Sequence, residues 1–91
     1  MGLNTMSVEL GQYFRQKRVD AGLTQIDLAR VFGYSSSQFV SNWERGLCTP
    51  PMASMAKLCE VLKIPKKEIV DVLTEEYRRT LEKAVKKSKA R

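Results

Sequence analysis

Apolar residues along this chain recur at spacings of three and four and never alternate over more than a few positions. That pattern predicts helices and no strands. Glycine and proline divide it. The first piece, "SVELGQYFRQKRVDA" from Ser7 to Ala21, sets Leu10 and Phe14 at i and i+4. Ser7 is placed to cap its start, and Gly22 suits the left-handed position that ends such a helix. The second piece, "LTQIDLARVF", carries Thr24 as N-cap and Asp27 three residues on, close to a capping box. Leu23 and Leu28 form the hydrophobic staple that fixes the entry angle. Ala29 is small enough to admit a neighbouring helix, and Gly33 follows the last residue, Phe32.

A third helix is predicted from Ser37 to Arg45, with Ser36 as N-cap and Gly46 as its stop. A rotation of about 100° per residue puts Val40, Trp43, Glu44 and Leu47 on one side. Gln38, Asn42 and Arg45 fall opposite, with Phe39 and Ser41 on the flanks. The helix therefore hides an apolar stripe and exposes amides and a hydroxyl. "TPP" at 49–51 opens a fourth helix, Pro51 to about Lys63, whose buried face is Met55, Leu58, Cys59 and Leu62. Ile64-Pro65 breaks it. A fifth helix begins near Lys66 and runs to about Lys87, because neither Gly nor Pro follows Pro65.

Length and charge narrow the function. Ninety-one residues make one small domain, and 43% hydrophobic with 29% charged residues is too apolar for a disordered chain. The net charge of +6 is unevenly placed. Residues 1–77 hold nine Lys/Arg against nine Asp/Glu, whereas residues 78–91, "RRTLEKAVKKSKAR", hold seven against one. Such a basic end attracts polyanions, although a terminal Lys run is also often just a solvated face. The two cysteines, Cys48 and Cys59, stand eleven apart in a chain with no histidine, which excludes the common zinc spacings. They read as buried or semi-buried reduced thiols, with a disulfide as the minor reading, and no metal or other cofactor is expected. "MGLNTMSVEL" lacks the pattern of a secretory leader, and no apolar run approaches the ~20 residues of a membrane span. A cytoplasmic protein with no membrane association is the expectation. No nucleophile–base pair and no Gly-rich phosphate loop after a strand is present, so an enzyme is not expected.

The stretches "LGQYFRQKR", "AGLTQIDLA", "WERG" and "PPMASMAKLCEVLKI" carry a family likeness. The segment from Leu10 to Ile64 resembles the helix-turn-helix domains of phage repressors and Cro-like regulators. The resemblance implies an all-α, five-helix, lambda-repressor-like fold over residues 7–73, followed by a basic helical extension over 74–91. It also implies that the second helix of the pair lies in the DNA major groove while the first crosses the backbone. Matched backwards from Trp43, the family's base-contacting positions fall on Ser37, Gln38 and Asn42. Gln38 and Asn42 are amides that can pair with adenine through N6 and N7. Ser37 and Ser41 are short and permissive members of the same set, and Phe39 could touch a thymine methyl. The absence of Arg and Lys from these base-contacting positions points to A·T-leaning half-sites. Phosphate contacts implied by the match are Gln25, Ser36 and Arg45. Arg18 and Glu44 correspond to a semi-buried ion pair of the family, with a structural role. Trp43 could stack on a base, but its i+3 relation to Val40 predicts core packing.

One departure stands out. Gly33 and Trp43 are ten residues apart, one more than the family usually has. Either Ser35 loops out or the reading helix starts one residue earlier. Beyond Pro65, Ile69, Val70, Leu73, Tyr77, Leu81, Ala84 and Val85 continue an apolar stripe further than the domain needs. Leu73, Tyr77 and Leu81 are therefore expected to form a homodimer surface, giving a dimeric repressor of transcription on a palindromic double-stranded operator; a frayed basic tail after Tyr77 is the alternative reading of this stretch. An antitoxin, or an adaptor gripping a protein partner such as a toxin, is the alternative on the same fold.

Overall fold

A computed structural model of the chain describes residues 7–89, with side chains described through Lys86. Residues 1–6, which begin the stretch expected to lack a leader pattern, lie outside the described residues, as do the last two residues of the basic extension. Five helices follow one another: α1 (Val8–Asp20), α2 (Gln25–Val31), α3 (Gln38–Glu44), α4 (Met55–Leu62) and α5 (Lys66–Lys89). A 3-10 turn, Met52–Ser54, precedes α4, and there is no strand among the described residues.

The predicted start signals of α1 and α2 act as written. Ser7 Oγ accepts from Leu10 N–H at 3.1 Å. Thr24 and Asp27 close a full capping box, each side chain bonding the other's backbone N–H at 2.9 and 3.1 Å. The Thr24 backbone N–H holds the Asp27 carboxyl below the usual carboxylate range. The core draws Leu10 and Phe14 from α1, Leu28 and Ala29 from α2, Val40 and Trp43 from α3, then Leu58, Cys59, Leu62, Ile64 and Ile69. Cys48 is half-buried, and both thiols are free.

Three boundaries differ from the sequence reading. The third helix starts at Gln38 and ends at Glu44, shorter at both ends than Ser37–Arg45, with Ser37 and Arg45 as the caps. Leu47, expected on the buried side, is 52% exposed, because Gly46 at φ 79° turns the chain out of the helix before it. The fourth helix begins four residues later than Pro51. Pro51 is extended at ψ 145°, so the first turn forms as the 3-10 segment instead.

Lys63 closes α4 at φ 57°, a left-handed conformation that costs a side chain with Cβ about 1 kcal/mol. Lys63→Gly should therefore stabilise the protein by roughly 0.5–1 kcal/mol, read as a higher denaturation midpoint with an unchanged slope.

Helix α5 is fastened to α1 at two places. Tyr13 donates its hydroxyl hydrogen to Glu68 at 2.6 Å, and Lys17 pairs with the same carboxylate at 3.0 Å. Burial, then the bond to Glu68, pushes the Tyr13 phenol well above its ordinary value of 10.0. The folded state thus holds this proton more tightly than the unfolded one. The resulting stabilisation is complete below about pH 10 and is lost as pH rises beyond it. Thermal melts from pH 8 to 11 should show that alkaline fall, and Tyr13→Phe should flatten it. The second fastening is Glu76, whose two carboxylate oxygens accept from Ser7 N–H and Ser7 Oγ–H at 3.0 Å each.

These contacts split the apolar stripe of α5 in two. Ile69, Val72, Leu73, Glu76 and Thr80 turn toward the domain and are buried or half-buried. Val70, Tyr77, Leu81 and Val85 lie roughly a quarter-turn around the helix and are exposed. Leu73 thus packs against the chain's own core, while Tyr77 and Leu81 face outward.

Candidate nucleic-acid interface

Helix α3 is only seven residues long, so tertiary contacts must hold it. Its back is closed by Val40 and Trp43, both essentially inaccessible. Trp43 meets the Phe32 ring edge-on at 5.9 Å and 86°. Between α2 and α3, Gly33 adopts φ 80° and Tyr34 N–H returns to Ala29 C=O at 3.1 Å. Residues Ser35 to Ser37 form a bend before the first helical residue. The extra residue is absorbed in that bend, and the helix begins later than expected, not earlier.

Behind α3 sits the ion pair. Arg18 Nε donates to Glu44 Oε2 at 2.6 Å and Arg18 Nη2 to Glu44 Oε1 at 3.1 Å. Arg18 Nη1 also binds Leu23 C=O at 2.7 Å, tying the α1–α2 turn to the same point. Both side chains are about nine-tenths buried or more, at 10% and 4% exposure, and no buried side-chain polar atom among the described residues lacks a partner. The network thus meets the condition for burying charge at all. Gln25 joins it, donating Nε2–H to Glu44 Oε1 at 3.0 Å. That bond fixes the Gln25 side chain between α2 and α3 and leaves one amide hydrogen of the two to point elsewhere.

The opposite side of α3 carries the polar set. Gln38 is exposed and Asn42 half-buried, and Gln38 Nε2 donates to Asn42 Oδ1 at 3.0 Å. With that bond made, the pair still presents Gln38 Oε1 as an acceptor and Asn42 Nδ2 as a donor. Adenine offers N6–H and N7 in the major groove, which is the complementary set. Ser41 and Ser37 are half-buried beside them, and Ser37 makes no capping bond. Ser36, expected as N-cap, is displaced one position outward and accepts from Gln38 N–H at 3.3 Å. Arg45 is exposed at the other end. Four of the predicted residues thus share one short helix or its cap, with Ser36 and Arg45 bracketing them.

Sequence reasoning missed two features of this region. Gly11, in the middle of α1, lets α1 and α3 touch backbone to backbone. A Cβ there would lie 2.5 Å from Glu44 C=O oxygen and 2.9 Å from Trp43 O. Its signal was an isolated glycine inside a helical pattern. The other is the stack of rings Phe32, Tyr34 and Phe39 beside α3. No group of His, Cys, Asp or Glu among the described residues is arranged to hold a metal ion, and no helix among them is long and apolar enough to cross a membrane.

Two short helices joined by a glycine turn, the second buried by its apolar back and polar in front, define an all-α helix-turn-helix DNA-binding domain. A family described as helix-turn-helix matches residues 14–69, more than half of the chain. The chain belongs to that family, of Cro/C1 type. No curated protein and no solved structure matches it.

Proposed function

We propose that the protein is a sequence-specific transcriptional repressor that binds a palindromic operator as a homodimer. The observation carrying this reading is the hydrogen-bonded Gln38–Asn42 pair on the outer side of a helix whose other side is locked into the core. A preset amide pair loses little side-chain freedom on meeting a base edge, and its chemistry favours adenine. Ser37 and Ser41 leave room for the groove wall. Arg45, Ser36 and the remaining amide hydrogen of Gln25 supply contacts to phosphates, which set register and carry no sequence information. Selection of bound duplexes from a random pool should return two A·T-leaning half-sites about one helical turn, ~34–36 Å, apart. A pool that returns no enriched sequence would defeat the proposal.

Dimerisation is supported by the uncovered face of α5. Tyr77 at 53%, Leu81 at 39% and Val85 at 62% exposure form an apolar row on a helix of 24 residues, ~36 Å long. Residues 66–77 hold four acidic side chains (Glu68, Asp71, Glu75, Glu76) against Lys66 and Lys67, net −2, and residues 78–89 hold six Lys/Arg against Glu82, net +5. A two-fold axis crossing the helix near Tyr77 pairs the halves antiparallel, which sets the outward carboxylates Asp71 and Glu75 of one copy toward the basic half of the other, while Glu68 and Glu76 stay bound to their own domain. Leu81→Lys should then yield a monomer by sedimentation, with palindrome affinity reduced at least tenfold and half-site affinity unchanged. The basic end also adds counterion release. Lys83→Ala with Lys86→Ala should weaken binding to all sequences alike and lower the salt slope by about one for each phosphate no longer neutralised.

The same uncovered face would serve an antitoxin or adaptor equally well. A small partner chain co-purifying with the native protein and displaced by Leu81→Lys would favour that second reading.

A further inference from the structure

Phe39 is the single exposed apolar ring on the helix that presents the amides, at 50% exposure in its first turn. It is not loose. Its ring stacks on Tyr34 at 4.5 Å and 28° between planes. Tyr34 in turn stacks on Phe32 at 6.4 Å and 29°, and Phe32 meets the buried Trp43 edge-on. Lys57 closes the far side of Phe32, its ammonium 5.8 Å from the ring centre and its Nζ donating to Val31 C=O at 3.3 Å. A column of four rings therefore runs from the core to the rim of the reading surface, and Phe39 is its outermost member.

An exposed phenyl ring held on a pedestal beside Gln38 calls for an apolar ligand at that point. Among the groups displayed in the major groove, the thymine C5 methyl is the apolar one. We infer that Phe39, pre-positioned by Tyr34, is a specificity-determining residue that selects thymine through its methyl group; this rests on the groove-reading role proposed above for α3. Gln38 and Phe39 are consecutive, so an amide that suits adenine and a ring that suits a thymine methyl sit side by side. Tyr34 directly follows Gly33 in the turn, and its ring stacks under Phe39 from there.

Uracil tests this directly, because replacing thymine by uracil preserves the base pair and removes only the methyl. In a duplex selected from a random pool, each thymine is changed singly to uracil and binding is measured by fluorescence polarisation. One position per half-site should bind wild type about fourfold more weakly, the worth of one buried methyl. Phe39→Ala should be indifferent to uracil at that position, Phe39→Leu should regain part of the discrimination, and Tyr34→Ala should reduce it. If Phe39→Ala does not fold, Phe39→Gln removes the apolar contact at similar volume and takes its place. Uracil tolerated at every position by wild type, or an unchanged penalty in the Phe39 variants, overturns the assignment. If wild type prefers a sequence and Gln38→Ala relaxes it, such a failure belongs to Phe39 alone. If wild type prefers no sequence, the groove reading falls first and this inference with it.

Discussion

Glu44→Ala should lower the melting temperature by roughly 15–25 °C, a larger effect than any other single substitution proposed for this chain. The reason is the charge it leaves behind. Arg18 is about as buried as its partner and spends two of its bonds on the Glu44 carboxylate. Removing one member of such a pair typically costs about 3–5 kcal/mol, and each kcal/mol moves the melting point of a small domain by about 4–8 °C. Against a total stability of about 5–15 kcal/mol, that is a large share. Arg18→Met combined with Glu44→Leu should recover much of the deficit, because it removes the orphaned charge instead of creating one. Sequence preference should survive in whatever fraction of the single variant remains folded. Calorimetry alongside binding to selected and scrambled duplexes would separate the two effects, and a change of preferred sequence without loss of stability would refute the structural role.

Gly11→Ala comes next, and propensity alone predicts the wrong sign for it. Alanine in a helix interior is worth about 0.5–1 kcal/mol over glycine. Here, however, the added methyl would press into the backbone of Trp43 and Glu44 at under 3 Å, where no flexible side chain can yield. Overpacking of that kind costs about 1–3 kcal/mol or somewhat more. The expected balance is a net destabilisation near 2 kcal/mol, about 10 °C in melting temperature, with α3 displaced from α1. Because α3 carries the amides, specific DNA binding should fall further than stability does. A variant more stable than wild type would mean that α1 and α3 do not meet backbone to backbone.

Local chemistry explains which features could be read in advance. Thr24 and Asp27 close their box through a three-residue spacing, so a short window of sequence contains the whole interaction. Val40 and Trp43 share a face through helical geometry alone, and both are buried. The Arg18–Glu44 pair spans 26 residues and came only through the family likeness, since no local rule links those positions. Features set by how helices meet were hidden. Gly11 matters because α3 passes over it, Leu47 is exposed because Gly46 redirects the chain, and the stripe of α5 divides because Ser7 reaches across 69 residues to Glu76. The start of α3 was hard to place because three consecutive serines are similar cap candidates; Ser37 takes the cap position without a side-chain bond, and Ser36 accepts from Gln38 N–H instead.

The dimer proposal also gives the Ser7–Glu76 contact a purpose. It joins the start of α1 to α5, while the Ser7 carbonyl lies against Gly46 at the end of α3. In the proposed dimer, this corner would link a partner held by α5 to the reading helix.

The most direct measurement is the ratio of affinities for a selected duplex and a base-scrambled duplex of equal length, at one moderate salt concentration, for wild type and for Gln38→Ala with Asn42→Ala. Wild type should favour the selected duplex by a factor on the order of 10³. The double variant, whose substitutions lie outside the core, should melt within a few degrees of wild type and bind both duplexes with nearly equal, weak affinity. A double variant that keeps the wild-type ratio would show that these amides do not read the groove.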